Sequence, residues 1–151
     1  MIPSVIIEST DPQGFGRKTS VRWLPDRFSI AGDNAVQHGG GGTGPDGFDL
    51  LGAALGQCLL NTLIAAAQRD AVRLTGAQAH VSTKARLGRA DEAPFLSDFH
   101  VDLYVEGDLD DDQRRRLESV AARLCGVRET LMRTPMITEH VHLGLPSGPP
   151  A

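Results

Sequence analysis

The chain has 151 residues, a length that suits one domain with one hydrophobic core. Its formal charge of −4 argues against a broad basic face, so nucleic acid and anionic membrane surfaces are not expected partners. Two cysteines are too few for a secreted disulfide framework, and the N-terminal "MIPSVIIEST" has neither a basic start nor a long apolar segment. We therefore expect a soluble, cytoplasmic protein.

Three strands and a glycine-rich loop are predicted before the first helix. "SVIIES" and "KTSVRWL" carry β-branched and aromatic residues on either side of the turn-rich "TDPQGFGR", which predicts a hairpin. "RFSIAG" predicts a third strand. The next segment, "DNAVQHGGGGTGPDG", contains four successive glycines and predicts a flexible loop.

A long apolar helix is predicted to begin at Asp46 or Asp49 and to end between Arg69 and Arg73. An acid near the start suits the helix dipole. The leucines at helical spacing are Leu51, Leu55, Leu59 and Leu63. This helix is apolar on nearly all sides and needs cover on both faces. One sheet covers only one face, so a second subunit is the natural candidate to cover the other.

A second hairpin and a second helix are predicted after Gly76. "AQAHVSTKARL" and "FLSDFHVDLYVEG" alternate as strands do, around the charged turn "GRADEAP". "DLDDDQRRRLESVAARLCGV" predicts an amphipathic helix that ends at Cys125. The residues predicted to face inward are Ala77, Ala79, Val81 and Thr83, then Phe99, Val101, Leu103 and Val105, then Leu117, Val120, Ala121 and Leu124.

"MITEHVHLGL" predicts a last strand, and the tail 146–151 is expected to be disordered. This order of elements predicts a single α+β domain over residues 1–145, with two main helices packed on an antiparallel sheet.

The two thiols have two possible roles. Cys58, in the middle of "GFDLLGAALGQCLLNTLIAAA", could simply fill space, since free cysteine is among the most buried residue types. A reactive thiolate would instead need a cation or a hydrogen-bond donor nearby. If Cys125 approaches Cys58 with a Cα separation below about 7 Å, it could resolve a sulfenic acid formed there.

Three segments together resemble the OsmC/Ohr family, in its OsmC-like branch: "GPDGFDLLGAALGQCLLNTL", "DEAPFLSDFHVDLYVEG" and "LESVAARLCGVRETLMRTPMITEHV". The resemblance covers about residues 18–143. It implies an intertwined α+β homodimer with active sites between the subunits. It also implies that peroxidase members reduce organic hydroperoxides through two cysteines, without a cofactor.

Carried onto this sequence, the resemblance makes Cys58 the thiol that attacks the peroxide and Cys125 the resolving thiol. The family glutamate, ten residues before the first cysteine, is Phe48 here. Asp49 matches an acidic position of OsmC-like relatives and equally suits a helix start. The family arginine has no match in "AVQHGGGG"; Arg17 is the best substitute, with Arg22 and Arg27 close behind.

A metal site is not expected. His140 and His142, in "EHVHL", could be combined with Cys58, Cys125 or His38, but the chain lacks a tight zinc-finger spacing.

The leading function is therefore a thiol-dependent peroxidase for organic hydroperoxides in oxidative-stress defence, recycled by an external dithiol. The alternative is a non-catalytic dimer that binds a small apolar or thiol-reactive ligand at the subunit interface. The missing glutamate and the uncertain arginine favour that alternative, so enzymatic activity is left open.

Overall fold

The computed structural model describes residues 5–9, 19–23, 28–88, 91–133, 135–140 and 142. Five strands and three helices lie within these ranges. In chain order they are β1 Val5–Ser9, β2 Thr19–Trp23, β3 Phe28–Gly32, α1 Gly47–Arg69, β4 Leu74–Arg86, β5 Phe95–Gly107, α2 Asp111–Leu124 and α3 Gly126–Leu131. A short 3-10 helix, Val36–His38, precedes α1.

The described strands form two antiparallel sheets. β1, β2 and β3 make a meander, in which Val21 lies opposite Ile7 on one side and Ile30 on the other. β4 and β5 make a long hairpin with Val81 opposite Val101. The predicted hairpins and third strand are confirmed, as is the α+β class, although the strands divide into two sheets.

Helix α1 begins where its sequence predicts. The Asp46 carboxylate accepts hydrogen bonds from the Phe48 and Asp49 amides at 2.8 and 2.9 Å. The Asp49 carboxylate in turn accepts from the Asp46 amide at 3.0 Å, which completes a capping box. The helix ends at Arg69, within the predicted range. It is also long and apolar enough to cross a membrane, a test that core helices of soluble proteins pass as well.

The core lies where α1 meets α2 and the inner face of the β4–β5 hairpin. Gly56 allows close approach to β4, because a Cβ there would lie 2.6 Å from the Val81 Cγ2. The predicted inward residues of β5 pack against this core. One prediction for α2 is wrong: Leu124, the last residue of the helix, is 56% exposed, because the chain leaves the helix at Cys125 and that residue takes the buried position instead.

The loop before α1 is organised by Asp33. Its Oδ2 accepts from the amides of Gly41 and Thr43 at 3.1 Å each, and from the Thr43 hydroxyl at 2.8 Å. The Thr43 hydroxyl is the main reason that the pKa of Asp33 lies below its usual value. The carboxylate therefore gives this glycine-rich segment a defined path into α1.

The predicted last strand over 136–145 is wrong for the part that the structure describes. Residues 135–140 and 142 have no regular secondary structure, and Met136 is 93% exposed. A segment rich in strand-forming residues becomes a strand only when another strand pairs with it. No described strand of this chain pairs with this segment. The expected disordered tail, 146–151, lies outside the described residues.

Candidate active site

Cys58 lies near the middle of α1, at the edge of its buried face. Its neighbour Leu59 is buried in the core, whereas Gln57 on the other side is exposed. Cys58 itself is half-buried and packs against the core cluster that contains Cys125. Cys58 is therefore packed against the core while part of the residue remains open to solvent.

Cys125 occupies the junction between α2 and α3 and is fully buried. Its amide donates to the Ala121 carbonyl at 3.2 Å, and its carbonyl accepts from the Glu129 amide at 3.0 Å. Its sulfur accepts from the Arg128 amide at 3.4 Å, so this thiol is the N-cap of α3. The junction thus places Cys125 and the first amides of α3 against Cys58.

The two thiols lie within hydrogen-bonding reach of each other, and their pKa values move in opposite directions. Burial alone would raise the pKa of Cys58. The hydrogen bonds offered by the Cys125 thiol, the Val127 and Gly126 amides and the Thr62 hydroxyl outweigh burial and bring that pKa below its ordinary value.

Burial raises the pKa of Cys125, and its hydrogen bond to the Cys58 sulfur raises it further. Cys58 is therefore the thiol that loses its proton first, while Cys125 keeps a proton to donate. This order is what a nucleophile and a partner thiol require, because the thiolate is the nucleophilic form.

An apolar groove of about 690 Å³ runs between α1, β5 and the α2–α3 segment. Leu59, which follows Cys58, and Arg128, whose amide donates to the Cys125 sulfur, line this groove, but neither thiol does. Its apolar walls are Leu55, Leu59, Phe99, Val101, Leu131 and Met132. The groove has the size range and the mainly apolar walls of small-molecule sites.

Asp49 lies far from the same chain's Cys58. Nine residues of α-helix rise about 13 Å and make two and a half turns, which puts the two side chains on opposite faces. The Asp49 carboxylate is engaged in the capping box with Asp46. Phe48 and Asp49 line a second groove, against β4, on the other side of α1.

The predicted arginine lies outside what the structure describes. Arg17 and Arg27 lie outside the described residues, and Arg22 lies within β2. In the described part of the chain, Arg128 reaches the apolar groove, and its guanidinium lies 3.3 Å from the Glu129 carboxylate. This ion pair offsets the charge of Arg128 beside the thiols.

The histidines form no cluster with the cysteines in the described ranges. The rings of His140 and His142 are 6.4 Å apart on the irregular C-terminal segment. No group of three or more His, Cys, Asp or Glu side chains suited to a metal ion occurs among residues 5–9, 19–23, 28–88, 91–133, 135–140 and 142.

Sequence reasoning missed the uncharged donors around Cys58. Gly126 and Val127 belong to α3, a six-residue helix too short to give a periodic signal. Thr62 carried a usable signal, because residues four apart on a helix lie one above the other.

A family model described as OsmC-like protein matches residues 39–140. No curated protein matches the sequence. An OsmC-like protein from Mycoplasma pneumoniae has a similar structure, with a TM-score of 0.72 at 14% identity over 87% of this chain and 88% of that one.

Two further solved structures are similar. The organic hydroperoxide resistance protein OsmC from Legionella pneumophila has a TM-score of 0.70 at 12% identity, covering 87% of this chain and 89% of that one. An organic hydroperoxide resistance protein from Vibrio cholerae, with captopril bound in one of its active sites, has a TM-score of 0.65 at 21% identity and covers 87% and 84%. At these identities the structures establish a shared fold. With the family model spanning more than half of the sequence, the chain belongs to the OsmC-like family.

Proposed function

We propose that this protein is a thiol-dependent peroxidase that reduces organic hydroperoxides, with Cys58 as the nucleophile and Cys125 as the resolving thiol. The observation that carries the proposal is that Cys58 packs against the core cluster that contains Cys125. The opposite directions in which the pKa values of the two thiols move support it. Two of the similar structures are organic hydroperoxide resistance proteins, which supports a peroxide as the substrate.

The reaction has two chemical steps within the chain. The Cys58 thiolate attacks the distal oxygen of ROOH; the O–O bond breaks, the leaving alkoxide takes up a proton to become ROH, and Cys58 becomes a sulfenic acid. Cys125 then attacks that sulfur, and a Cys58–Cys125 disulfide forms as water leaves. An external dithiol reduces the disulfide and is itself oxidised.

The apolar groove between α1, β5 and the α2–α3 segment is the proposed site for the alkyl group of an organic peroxide. Burial of an alkyl group there contributes about 0.8 kcal/mol per CH₂ group, and hydrogen peroxide has no such group to bury. Both cysteines are free thiols, as a dithiol-driven cycle in the reducing cytoplasm requires.

A second copy of the chain is part of the proposal. Among the described residues, the β1–β3 sheet has almost no contact with α1, α2 or the β4–β5 hairpin. Ala53, Gln57 and Asn61 lie along an exposed side of α1. A homodimer would bury both surfaces, and sedimentation equilibrium should then give twice the mass of the chain.

Arg17 and Asp49 enter this proposal through the family resemblance alone. Arg17 is the proposed cation that reaches Cys58, across the dimer interface or within the chain, and Asp49 is the proposed acid that orients it. Arg17→Ala should then slow peroxide reduction, with Arg86→Ala, at an exposed arginine of β4, as the matched control.

The direct test is consumption of an organic hydroperoxide with an excess of a small dithiol. The native chain should consume it catalytically, Cys58→Ser should show no rate above background, and Cys125→Ser should stop after one equivalent unless the dithiol resolves the sulfenic acid itself. Equal rates for the native chain and Cys58→Ser would contradict the proposal.

A non-catalytic ligand-binding dimer is the second candidate. Phe48, at the family's glutamate position, lines an open groove on the other side of α1, which favours binding of an apolar molecule there. This candidate predicts that an apolar probe binds without turnover and that Cys58→Ser leaves its affinity unchanged.

A further inference from the structure

We propose that the external dithiol reopens the Cys58–Cys125 disulfide at the Cys58 sulfur, so that the mixed disulfide with the reductant forms on Cys58 alone. This inference rests on the proposed disulfide and adds to it the atom that the reductant must reach. The reductant thiolate bonds to the Cys58 sulfur, the S–S bond breaks, and Cys125 leaves as a thiolate that takes up a proton from water. The second thiol of the reductant then displaces Cys58 as a thiolate, and the reductant closes its own disulfide.

Exposure to solvent separates the two sulfurs. Cys125 is 0% exposed, so its sulfur presents no surface to solvent. Cys58 is half-buried, and part of this residue remains open although it packs against the core. Thiol–disulfide exchange depends on access to the sulfur that is attacked. Of the two cysteines, Cys58 is therefore the one that a reductant reaches from outside.

The direction of attack strengthens this difference. A thiolate approaches the attacked sulfur from the side opposite the bond that breaks. For attack on Cys58, the reductant must therefore come from the side away from Cys125, and the open part of Cys58 is not the part that packs against the core. For attack on Cys125, it must come from the far side of a residue that is covered on every side.

The backbone holds Cys125 in its buried position. Its amide donates to the Ala121 carbonyl at 3.2 Å, and its carbonyl accepts from the Glu129 amide at 3.0 Å. Turning Cys125 outward would break these bonds to α2 and α3. The Arg128 amide, 3.4 Å from the Cys125 sulfur, is a donor for the thiolate that leaves. The junction therefore keeps Cys125 from attack and receives it as the leaving group.

Leaving-group strength favours the opposite direction. Burial raises the pKa of Cys125 and the pKa of Cys58 is lowered, so Cys58 is the better leaving group. This preference changes the rate by degrees, whereas attack on Cys125 first requires the junction of α2 and α3 to open. Core elements are the parts of a folded chain that open least often. Access therefore decides which sulfur is attacked.

The test opens the disulfide with a monothiol, which cannot finish the exchange by closing a disulfide within itself. Diamide forms the Cys58–Cys125 disulfide without any peroxide. The folded, oxidised chain is mixed briefly with excess reduced glutathione, free thiols are blocked with N-ethylmaleimide, and the tryptic peptides are analysed by mass spectrometry. Glutathione should be found on peptide 28–69, which contains Cys58, and N-ethylmaleimide on peptide 124–128, which contains Cys125. In urea, where burial is lost, glutathione should be found on both.

Two single-cysteine variants are the matched controls. With glutathione disulfide, folded Cys125→Ser should form the adduct on Cys58, and Cys58→Ser should form one on Cys125 only in urea. Glutathione on peptide 124–128 of the folded native chain, or an adduct on folded Cys58→Ser, would overturn the inference. A disulfide that glutathione opens only in urea would overturn it too, as would failure of diamide to link the two peptides.

These outcomes do not depend on turnover. A chain whose diamide-formed disulfide opens at Cys58, but which does not reduce hydroperoxides, would contradict the proposed function alone. Glutathione on Cys125 in a chain that does reduce hydroperoxides would overturn the point of attack alone.

Discussion

The N-terminus of α1 and the surroundings of Cys58, near the middle of that helix, use their polar groups differently. At the N-terminus, Asp46 and Asp49 satisfy each other's backbone amides in a capping box. Around Cys58, neutral donors come from Thr62, Cys125 and the start of α3. In this structure the acids therefore stabilise the helix, while uncharged groups favour the thiolate.

The contrast extends to the two thiols themselves. The pKa of Cys58 is lowered because its hydrogen-bond donors outweigh burial, and the pKa of Cys125 is raised mainly by burial. As pH rises, Cys58 should therefore alkylate first, because its pKa is lowered and that of Cys125 is raised from the ordinary thiol value. Each unit between them is about tenfold in thiolate fraction at neutral pH. Iodoacetamide labelling at a series of pH values, read from tryptic peptide 28–69 for Cys58 and peptide 124–128 for Cys125, reports both curves in one experiment. Coincident curves would contradict this difference between the thiols.

The packing that holds the junction of α2 and α3 against Cys58 gives the largest expected effect on stability. Leu117→Ala removes a side chain that is 2% exposed and should lower the free energy of unfolding by about 2–5 kcal/mol. Leu124→Ala, on the same helix but 56% exposed, is the matched control and should change it by less than about 0.5 kcal/mol. Urea denaturation measures both, and similar losses would show that the junction is packed differently.

The contact between α1 and β4 can be tested with two glycines one turn apart. A Cβ at position 56 would lie 2.6 Å from the Val81 Cγ2, whereas at position 52 the nearest Val81 atom is 3.8 Å away. Gly52→Ala should stabilise the helix by up to about 1 kcal/mol, because alanine is the better helix former. Gly56→Ala adds an overpacking cost of about 1–3 kcal/mol and should be the less stable variant. The reverse order in thermal melting would contradict this packing.

The capping box should give the smallest effect. Asp46→Ala should cost about 1 kcal/mol of stability, and Asp49→Ala the same or less. Asp46→Ala should leave the alkylation profile of Cys58 unchanged, because Asp46 serves the helix end alone. Asp49→Ala separates the two roles of Asp49: a slower Cys58 reaction at pH 7 would support the proposed orientation of Arg17 by Asp49, and a native profile would limit Asp49 to the capping box.

Much of this fold was predictable from local pattern. The spacing of the leucines and the position of Asp46 gave the bounds of α1, and two-residue alternation gave β4 and β5 with their inner faces. The C-terminal strand was not predictable in the same way, because a strand needs a partner and the sequence pattern of residues 136–145 does not say where that partner lies.

The site was predictable in part. The proposed roles of Cys58 and Cys125 came from the family resemblance. The packing that brings the two residues together depends on how α2 packs on α1, which no local sequence pattern encodes. The opposite faces of Asp49 and Cys58 follow from a nine-residue helical separation. The i and i+4 spacing that joins Cys58 to Thr62 is equally simple and was readable from the sequence.

The central claim is that Cys58 and Cys125 act as one redox unit. The most direct measurement treats the reduced chain with one equivalent of an organic hydroperoxide, without reductant, and analyses the tryptic digest by mass spectrometry. We predict that peptide 28–69 becomes linked to peptide 124–128 through one disulfide within the chain, and that a dithiol separates them. Oxidation of Cys58 with peptide 124–128 left free and unlinked would contradict the account.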